Sequence, residues 1–366
     1  MINLLSSCAG AACVLMASNS HAQNVTIYGL LDASVEHLSS TAAGGSLNRM
    51  PGLTSGFPSR LGFRGTEDLG GGLKASFTLE QGFGVDVGTF NQGGRAWGRQ
   101  AFVALSGSWG TVSLGRQYSM MFWSQVDADI LGPAMYGTSS LDSYQPNARA
   151  DNSIAYRGTF DGLTVGATYS FGRDAVNAGP SPSGTNCAGE NSADTSACRQ
   201  WSVLLKYDAG TWGATAAIDE MRGGAGAFGG LTLSSMKDRR STVTAWVKPT
   251  ADLKLGAGLI ARKNDGSATT PKSNLWYAGA SYTITPAWVI DGEAFKLDYK
   301  DSANGATLYA ARASYLFSKR TTAYAMVGHI ANDGTLAVSV SAGAAGGAPA
   351  AGGSQSGLAL GLRHSF

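Results

Sequence analysis

Residues able to do chemistry are few and scattered in this chain. Beyond the N-terminal leader region there are three histidines, His37, His329 and His364. Nucleophilic catalysis needs a nucleophile, a base and an orienting group within reach of one another. The three histidines fall on different candidate strands, with His364 in an outward set, so no Ser/His/Asp site is assembled. Gly70-Gly71-Gly72 reads as a turn, because no Lys-Ser/Thr follows as a phosphate-cradling loop requires. Cys187 and Cys198 lie close together in a polar Gly/Ser/Asn segment with no His or third Cys nearby, which leaves a metal site without ligands. An even pair closing a short loop in an exported protein reads as a disulfide, contributing on the order of 2–3 kcal/mol of mostly local ordering. No metal or cofactor is expected.

What remains is electrostatics. Tyr118 to Ala150 is long, follows no period and carries Asp127, Asp129 and Asp142 among Met, Phe, Trp, Tyr and two prolines. Short alternating runs flank it, Thr111–Gln117 and Asp151–Phe160. A structureless segment of this length in a compact domain is usually functional; the expectation is that it folds inward and narrows a water-filled barrel. Arg60 and Arg64 alternate with Leu61 and Phe63, so if the apolar pair faces out the arginines face in. Clustered Arg stays charged and sheds hydration readily, water and acids screen such like charges, and Arg rings favour anions.

The elements that must position these groups are strands. The chain has 366 residues, 51 of them Gly, with 14% charged residues and a net charge of +2, which suggests no nucleic-acid partner. A mean hydropathy near zero argues against a helical membrane protein only, because a transmembrane barrel is apolar on alternate residues. After the N-terminus no stretch reaches the roughly 18 apolar residues of a membrane helix. Leu4 to Ala17 is a short apolar run followed by Ser20-His21-Ala22, a small-x-Ala pattern. Residues 1–22 are therefore expected to be a signal peptide cleaved after Ala22, taking Cys8 and Cys13 with it, and residues 23–366 one barrel. The leader lacks Lys and Arg at its start, and a lipoprotein site at Cys13 would have Gly10 where Leu is usual.

Period-two runs are plain at several places. Leu73, Ala75, Phe77 and Leu79 oppose Lys74, Ser76, Thr78 and Glu80; Leu163, Val165, Ala167, Tyr169 and Phe171 oppose Thr164, Gly166, Thr168 and Ser170. Leu253 to Leu259 and Leu358 to Phe366 alternate likewise, whereas the surroundings of Trp246 and Ala323–Ile330 do not sort cleanly. Runs of about ten residues match a tilted bilayer span, and aromatics near their ends, Tyr28, Trp212 and Trp288 among them, match interfacial girdles. Tight turns fall at Asp68–Gly72, Ser108–Gly110, Asp161-Gly162, Asp208–Thr211, Pro249–Asp252, Thr285–Ala287 and Ser318–Arg320. Longer linkers alternate with them near 39–56, 84–96, 118–150, 173–199, 222–238, 264–273, 300–305 and 332–355. Fifteen connections imply about sixteen strands, an even number that closes without an edge. The fold class is all-β, a transmembrane antiparallel barrel.

Several segments carry a family resemblance: Val25-Thr26-Ile27-Tyr28-Gly29-Leu30-Leu31-Asp32, Ser59-Arg60-Leu61-Gly62-Phe63-Arg64-Gly65-Thr66-Glu67-Asp68-Leu69-Gly70, Arg99-Gln100-Ala101-Phe102-Val103, Gly115-Arg116-Gln117, Asp151-Asn152-Ser153 and Gly361-Leu362-Arg363-His364-Ser365-Phe366. In order and spacing they resemble a Gram-negative trimeric general porin of the beta-proteobacterial type, over nearly the whole mature chain. The resemblance implies a cell outer-membrane channel for small hydrophilic solutes and ions, whose third long loop folds into the barrel and sets acids against a basic wall. That wall would be Arg60 and Arg64 on the second strand, Arg99 on the fourth and Arg149 entering the sixth; Asp129, with Asp127 beside it, matches the loop acid. Gly132-Pro133-Ala134 stands where a second loop acid is common, so four arginines face two or three acids and a weak anion preference is predicted.

Val112 and Leu114 alternate outward, which puts Arg116 on the outer face, where a lone Arg at mid-depth costs roughly 2–4 kcal/mol. The resemblance implies a homotrimer contact in which a neighbour's second loop supplies the carboxylate, here Asp86; a snorkelling interfacial Arg is the plainer alternative. The terminal Phe366 resembles the signal read by the barrel assembly machinery. Two other readings stay open. A solute-specific channel would use an aromatic slide, for which Phe122, Trp123 and Tyr136 are the hint. A secreted all-β adhesin would leave the polar inner face unexplained.

Overall fold

Alternation along the chain is realised as a closed ring of strands. The computed structural model describes residues 25–174, 187–225, 227 and 229–366; the expected leader, 1–22, and its cleavage point lie outside these described residues. The strands are β1 (Thr26–Leu38), β2 (Leu47–Arg49), β3 (Arg60–Gly70), β4 (Leu73–Gly82), β5 (Gln100–Gly107), β6 (Gly110–Tyr118), β7 (Arg149–Phe160), β8 (Leu163–Ser170), β9 (Gln200–Asp208), β10 (Trp212–Arg222), β11 (Lys237–Val247), β12 (Leu253–Asn264), β13 (Lys272–Thr285), β14 (Trp288–Tyr299), β15 (Gly305–Leu316), β16 (Thr321–Asp333) and β17 (Ser354–Ser365). The three-residue β2 only patches the end of β1; the other sixteen form the barrel, each antiparallel to its neighbours. β1 closes it by pairing with β3 at Thr26–Leu30 and with β17 at Leu30–Leu38.

The seven tight turns sit at one end and the eight long connections at the other. Asp161 and Gly162 show why the turns are short: both have positive φ, 49° and 84°, the geometry that matches a two-residue hairpin to strand twist. At the seam, Gly29 and Phe366 exchange two backbone hydrogen bonds of 3.1 Å. The Phe366 ring covers Gly29, where any Cβ would overlap it. No strand edge is left open there, as a bilayer demands.

Outward residues form an apolar belt. Leu358, Leu360 and Leu362 are 46%, 60% and 54% exposed, which in water would be a liability and in lipid is the solvated state. The segments that resisted sorting have a specific cause. Tyr324, Met326 and Ile330 on β16 turn inward and are buried, while Val327 and His329 turn out. They are seats for the segment between β6 and β7. That segment contributes Leu131, Met135, Tyr136 and Leu141 to one core with Tyr277, Phe295, Leu308 and Met326 of the wall. Tyr136 lies over Gly328 and Gly357, where a side chain would collide with its ring. Trp246 is likewise inside, beneath Lys248 and Lys254. Tyr28, expected at an interface, instead points inward, its hydroxyl donating to Glu80 at 3.0 Å.

Candidate functional site

The site is built where inward positions of neighbouring strands carry charge. Arg60 and Arg64 stand on β3, Arg99 precedes β5 and Arg149 opens β7; all four line a cavity of about 1030 Å³ inside the barrel. Tyr118, the last residue of β6, ties the wall together. Its hydroxyl accepts from Arg99 Nη2 at 2.7 Å and from Arg149 Nη2 at 3.0 Å. The Arg149 guanidinium lies 4.5 Å from the ring centre, and Phe122 stacks on the same ring at 3.7 Å. Glu80 on β4 supplies the counter-charge, meeting Arg99 Nε at 2.7 Å and Arg60 Nε at 3.8 Å. The buried guanidiniums of Arg99 and Arg149 are thus held side by side by one shared acceptor, the Tyr118 hydroxyl, with Glu80 compensating Arg99, as like charges need when water is scarce. Arg64 has no carboxylate partner among the described residues and reaches over the Tyr28 ring at 5.2 Å.

Across the cavity stand residues the sequence reading did not single out: Lys254 on β12, Arg312 on β15 and Arg363 on β17. Arg312 donates to Asp291 Oδ2 from two nitrogens at 2.8 and 2.9 Å. Phe57 lies between Arg312 and Arg363, whose guanidiniums are 5.5 and 4.8 Å from its ring centre. The alternation that puts Leu360 and Leu362 outside already puts Arg363 inside; what it lacks is depth along the barrel axis. The described lining thus holds seven cationic side chains, Arg60, Arg64, Arg99, Arg149, Lys254, Arg312 and Arg363, against three acids, Glu80, Asp129 and Asp291.

Three anchors hold the segment between β6 and β7 against the wall. A helix, Met120–Gln125, begins with the Met120 backbone N–H donating to Ser202 on β9 at 2.9 Å. Farther on, Glu293 of β14 accepts from the backbone N–H of Leu131 at 2.9 Å and of Ile130 at 3.3 Å. Near its end Asp142 receives both Nε and Nη2 of Arg240 on β11, at 2.7 and 3.0 Å. Arg240 also stacks 4.4 Å from the centre of the Tyr144 ring, whose hydroxyl donates to Asp219 at 2.8 Å.

Two of the segment's three acids are driven opposite ways. Burial alone would raise the Asp142 carboxyl, but Arg240 overrides it and holds the group well below the usual carboxylate range. Asp129 has no such cationic partner at bonding distance among the described residues; burial pushes its carboxyl up, partly offset by Thr138, which donates at 2.7 Å, and the Gly132 N–H at 2.9 Å. Asp127, expected beside Asp129 at the constriction, is not part of the cavity lining. The chain turns after Gln125, and Asp127 faces Lys206 on β9 at 2.6 Å. Adjacency in sequence was a poor guide, because successive residues of a turn point different ways.

Arg116 finds its carboxylate within its own chain. β6 has a bulge between Gly115 and Gln117, and Arg116 Nη1 meets Asp151 of β7 at 2.6 Å while Nε donates to the Gly98 carbonyl at 2.7 Å. No neighbour is needed to neutralise it. Asp86 is exposed on the connection between β4 and β5 and lies against Gly52 and Gly84. Cys187 and Cys198 form a disulfide with Cα atoms 5.2 Å apart. The histidines stay apart: His37 contacts Asn48, His329 contacts Ser356 and His364 contacts Thr321, all in exposed positions.

A closed antiparallel barrel of sixteen strands has known counterparts. The family model of Gram-negative porins matches residues 9–335. This chain is a Gram-negative porin. The porin is similar to outer membrane porin protein 32 of Delftia acidovorans, 29% identical with 94% of each chain covered. It is 39% identical to an outer membrane porin protein of Bordetella pertussis over 128 residues, 32% of this chain and 33% of that one. Among solved structures, the anion-selective porin from Comamonas acidovorans superposes with a TM-score of 0.75 at 26% identity, covering 94% of this porin and all of that chain. OmpF of Salmonella typhi shares the fold, with a TM-score of 0.63 at 18% identity over 94% and 98% of the two chains. The porin is thus an outer-membrane diffusion channel of sixteen strands.

Proposed function

We propose that this porin passes small hydrophilic solutes with a weak preference for anions, without catalysis and as a homotrimer. The observation that carries the preference is the lining: seven cationic side chains against three acids, two of which, Glu80 and Asp291, are already engaged by arginine. A similar porin, from Comamonas acidovorans, is described as anion-selective, which supports the same sign here. A solute-specific slide is disfavoured by the placement of the three aromatics. Only Phe122 lines the cavity; Trp123 is covered by Arg157 at 3.8 Å, and Tyr136 is fully buried. The separated histidines support diffusion over any hydrolytic role.

For the trimer, the supporting features are Asp86 on an exposed loop and outward apolar residues on the same side of the barrel, such as Val35 and Val103, 60% and 59% exposed. In this reading Asp86 reaches the polar site that Arg116 and Asp151 already form in the neighbour. Phe366 at the barrel seam serves as the assembly signal, and cleavage after Ala22 releases the leader. The deciding experiment is the zero-current potential of the purified porin in a planar bilayer across a salt gradient. A potential of the anion-selective sign is expected; a cation-selective one overturns the assignment of the arginines as the dominant field.

A further inference from the structure

Among the long connections lies a second cavity that the charged lining does not explain. Its volume is about 380 Å³, within the range of small-molecule sites. Four connections wall it: Leu53 stands before β3, Gln92 between β4 and β5, Ser139 and Ser143 on the inner segment, and Val338 and Ala344 between β16 and β17. Pro58, Arg99, Ser139 and Pro146 line both this cavity and the larger one, so the two meet in series.

Charge does not carry over from one to the other. Arg99 is the one ionisable side chain among the described residues of the smaller lining, and it is held by Glu80 and by the Tyr118 hydroxyl, each at 2.7 Å. Hydrogen-bonding capacity is left over instead. Gln92 Oε1 and Ser139 Oγ are buried with no protein partner among the described residues, and the same holds for Gln145 Oε1 and Arg149 Nε of the larger cavity. Buried polar atoms are nearly always bonded, so four such atoms bordering two joined cavities mark places for a ligand's groups. The two glutamine oxygens only accept, Arg149 Nε only donates, and Ser139 Oγ does either. Gln92 is also held at φ 54°, a conformation uncommon for a residue with a side chain and concentrated at ligand clamps. Gly82 and Gly98 make the room for it, since a Cβ on either would overlap the Gln92 side chain.

We propose that the smaller cavity is a binding site for a neutral polyhydroxylated solute, a small saccharide, which pauses there before it reaches the charged lining. A hydroxyl both donates and accepts, so a ring of them satisfies Gln92, Ser139 and Gln145 together. A bare anion brings acceptors only and leaves the two glutamine oxygens opposed. Leu53, Pro58, Pro146 and Val338 offer apolar surface to the carbon frame. The site rests on the reading of this chain as a diffusion channel, and it adds a class of solute that the arginines do not select.

The test is the single-channel current of the full porin in a planar bilayer, with sucrose added on the side of the long connections. Sucrose is expected to interrupt the current in a concentration-dependent way that salt leaves unchanged, because no ionic contact is made. Tetraethylene glycol dimethyl ether, which has acceptors and no hydroxyl, should lower the current only as viscosity does. In Q92N/S139A the half-blocking sucrose concentration should rise on the order of twentyfold, from about fivefold for each neutral hydrogen bond lost; an unchanged sign of the zero-current potential shows that the barrel has folded. Ala344→Leu keeps the polar groups and fills the cavity, and it should abolish the interruptions. Equal interruption by sucrose and the ether, or an unchanged block in both variants, overturns the site and leaves the channel reading standing. A porin that carries no current overturns the channel reading and the site with it.

Discussion

Two ends of the same strands treat their inward positions differently. On β15, Leu308 is buried under the inner segment, while Arg312, four residues nearer the short turn, faces the cavity. On β17, Gly357 is the seat of Tyr136 and Arg363 lines the cavity. The half near the long connections is thus a packed core with an ionic latch, and the half below it is wet and charged. The difference teaches that one barrel wall can be a hydrophobic support and a polar channel in series, at a constant alternation, when a single segment decides which positions see water.

The largest test of this contrast removes the latch. Arg240→Ala leaves Asp142 and Asp238 buried without their shared guanidinium, which should cost about 3–5 kcal/mol. Because the barrel ladder is untouched, the loss is expected in the segment: faster hydrogen exchange over 138–148 and a noisier current. The pH response should differ along the segment. Asp142 lies below its ordinary value when folded, so its contribution is present above the unfolded pKa of about 3.9 and lost only as pH falls through the lower folded value. Asp129 lies above, so its contribution is full below about 3.9 and lost as pH rises through the folded value. Protection, taken as exchange relative to the intrinsic rate at each pH, should therefore fall near 129–132 with rising pH, and near 140–146 only in strong acid. The same direction at both places would contradict the opposed environments.

Tyr136→Ala empties a fully buried site between Gly328, Gly357 and Val340. A cost of about 3 kcal/mol is expected, with conductance rising as the segment loosens; unchanged conductance would mean that apolar packing does not set the aperture. Breaking the Cys187–Cys198 bridge by Cys187→Ser and Cys198→Ser should remove about 2–3 kcal/mol of local ordering and leave conductance as it was, since the bridge clusters with Ala197 and does not line the cavity. The smallest effect belongs to single charges of the wet half. Arg64→Gln or Arg363→Gln removes roughly 0.5 kcal/mol of attraction for an anion about 8 Å away in water. That is about a twofold fall in relative anion permeability, readable in the zero-current potential. No shift in either variant would place the controlling field elsewhere.

Much of the scaffold was legible because lipid imposes a simple rule. All seven tight turns and all eight long connections lie where Gly, Asp, Pro and Ser clusters interrupt the alternation. Arg60 and Arg64 were readable from Leu61 and Phe63, and Arg363 was readable in the same way from Leu360 and Leu362. The inward face of Glu80 and Lys254 was readable likewise from Leu79 and Leu255, but not their depth along the axis, which alternation does not give; Arg312 and Asp291 were not read. Asp127 was misplaced because the path of an aperiodic segment depends on its contacts. Arg116 was given a neighbour's carboxylate because a bulge and a cross-strand partner 35 residues on cannot be seen in a local run.

By itself the sequence determined the strand number, the turns, the lipid face and the basic bias of the lumen, all consequences of pairing every backbone group in hydrocarbon with side chains of period two. Only the tertiary structure decided which inward residues meet water. Tyr136 seated on two glycines and Asp142 clasped by Arg240 direct the inner segment, and that placement results from long-range packing and charge pairing that no short stretch of chain encodes.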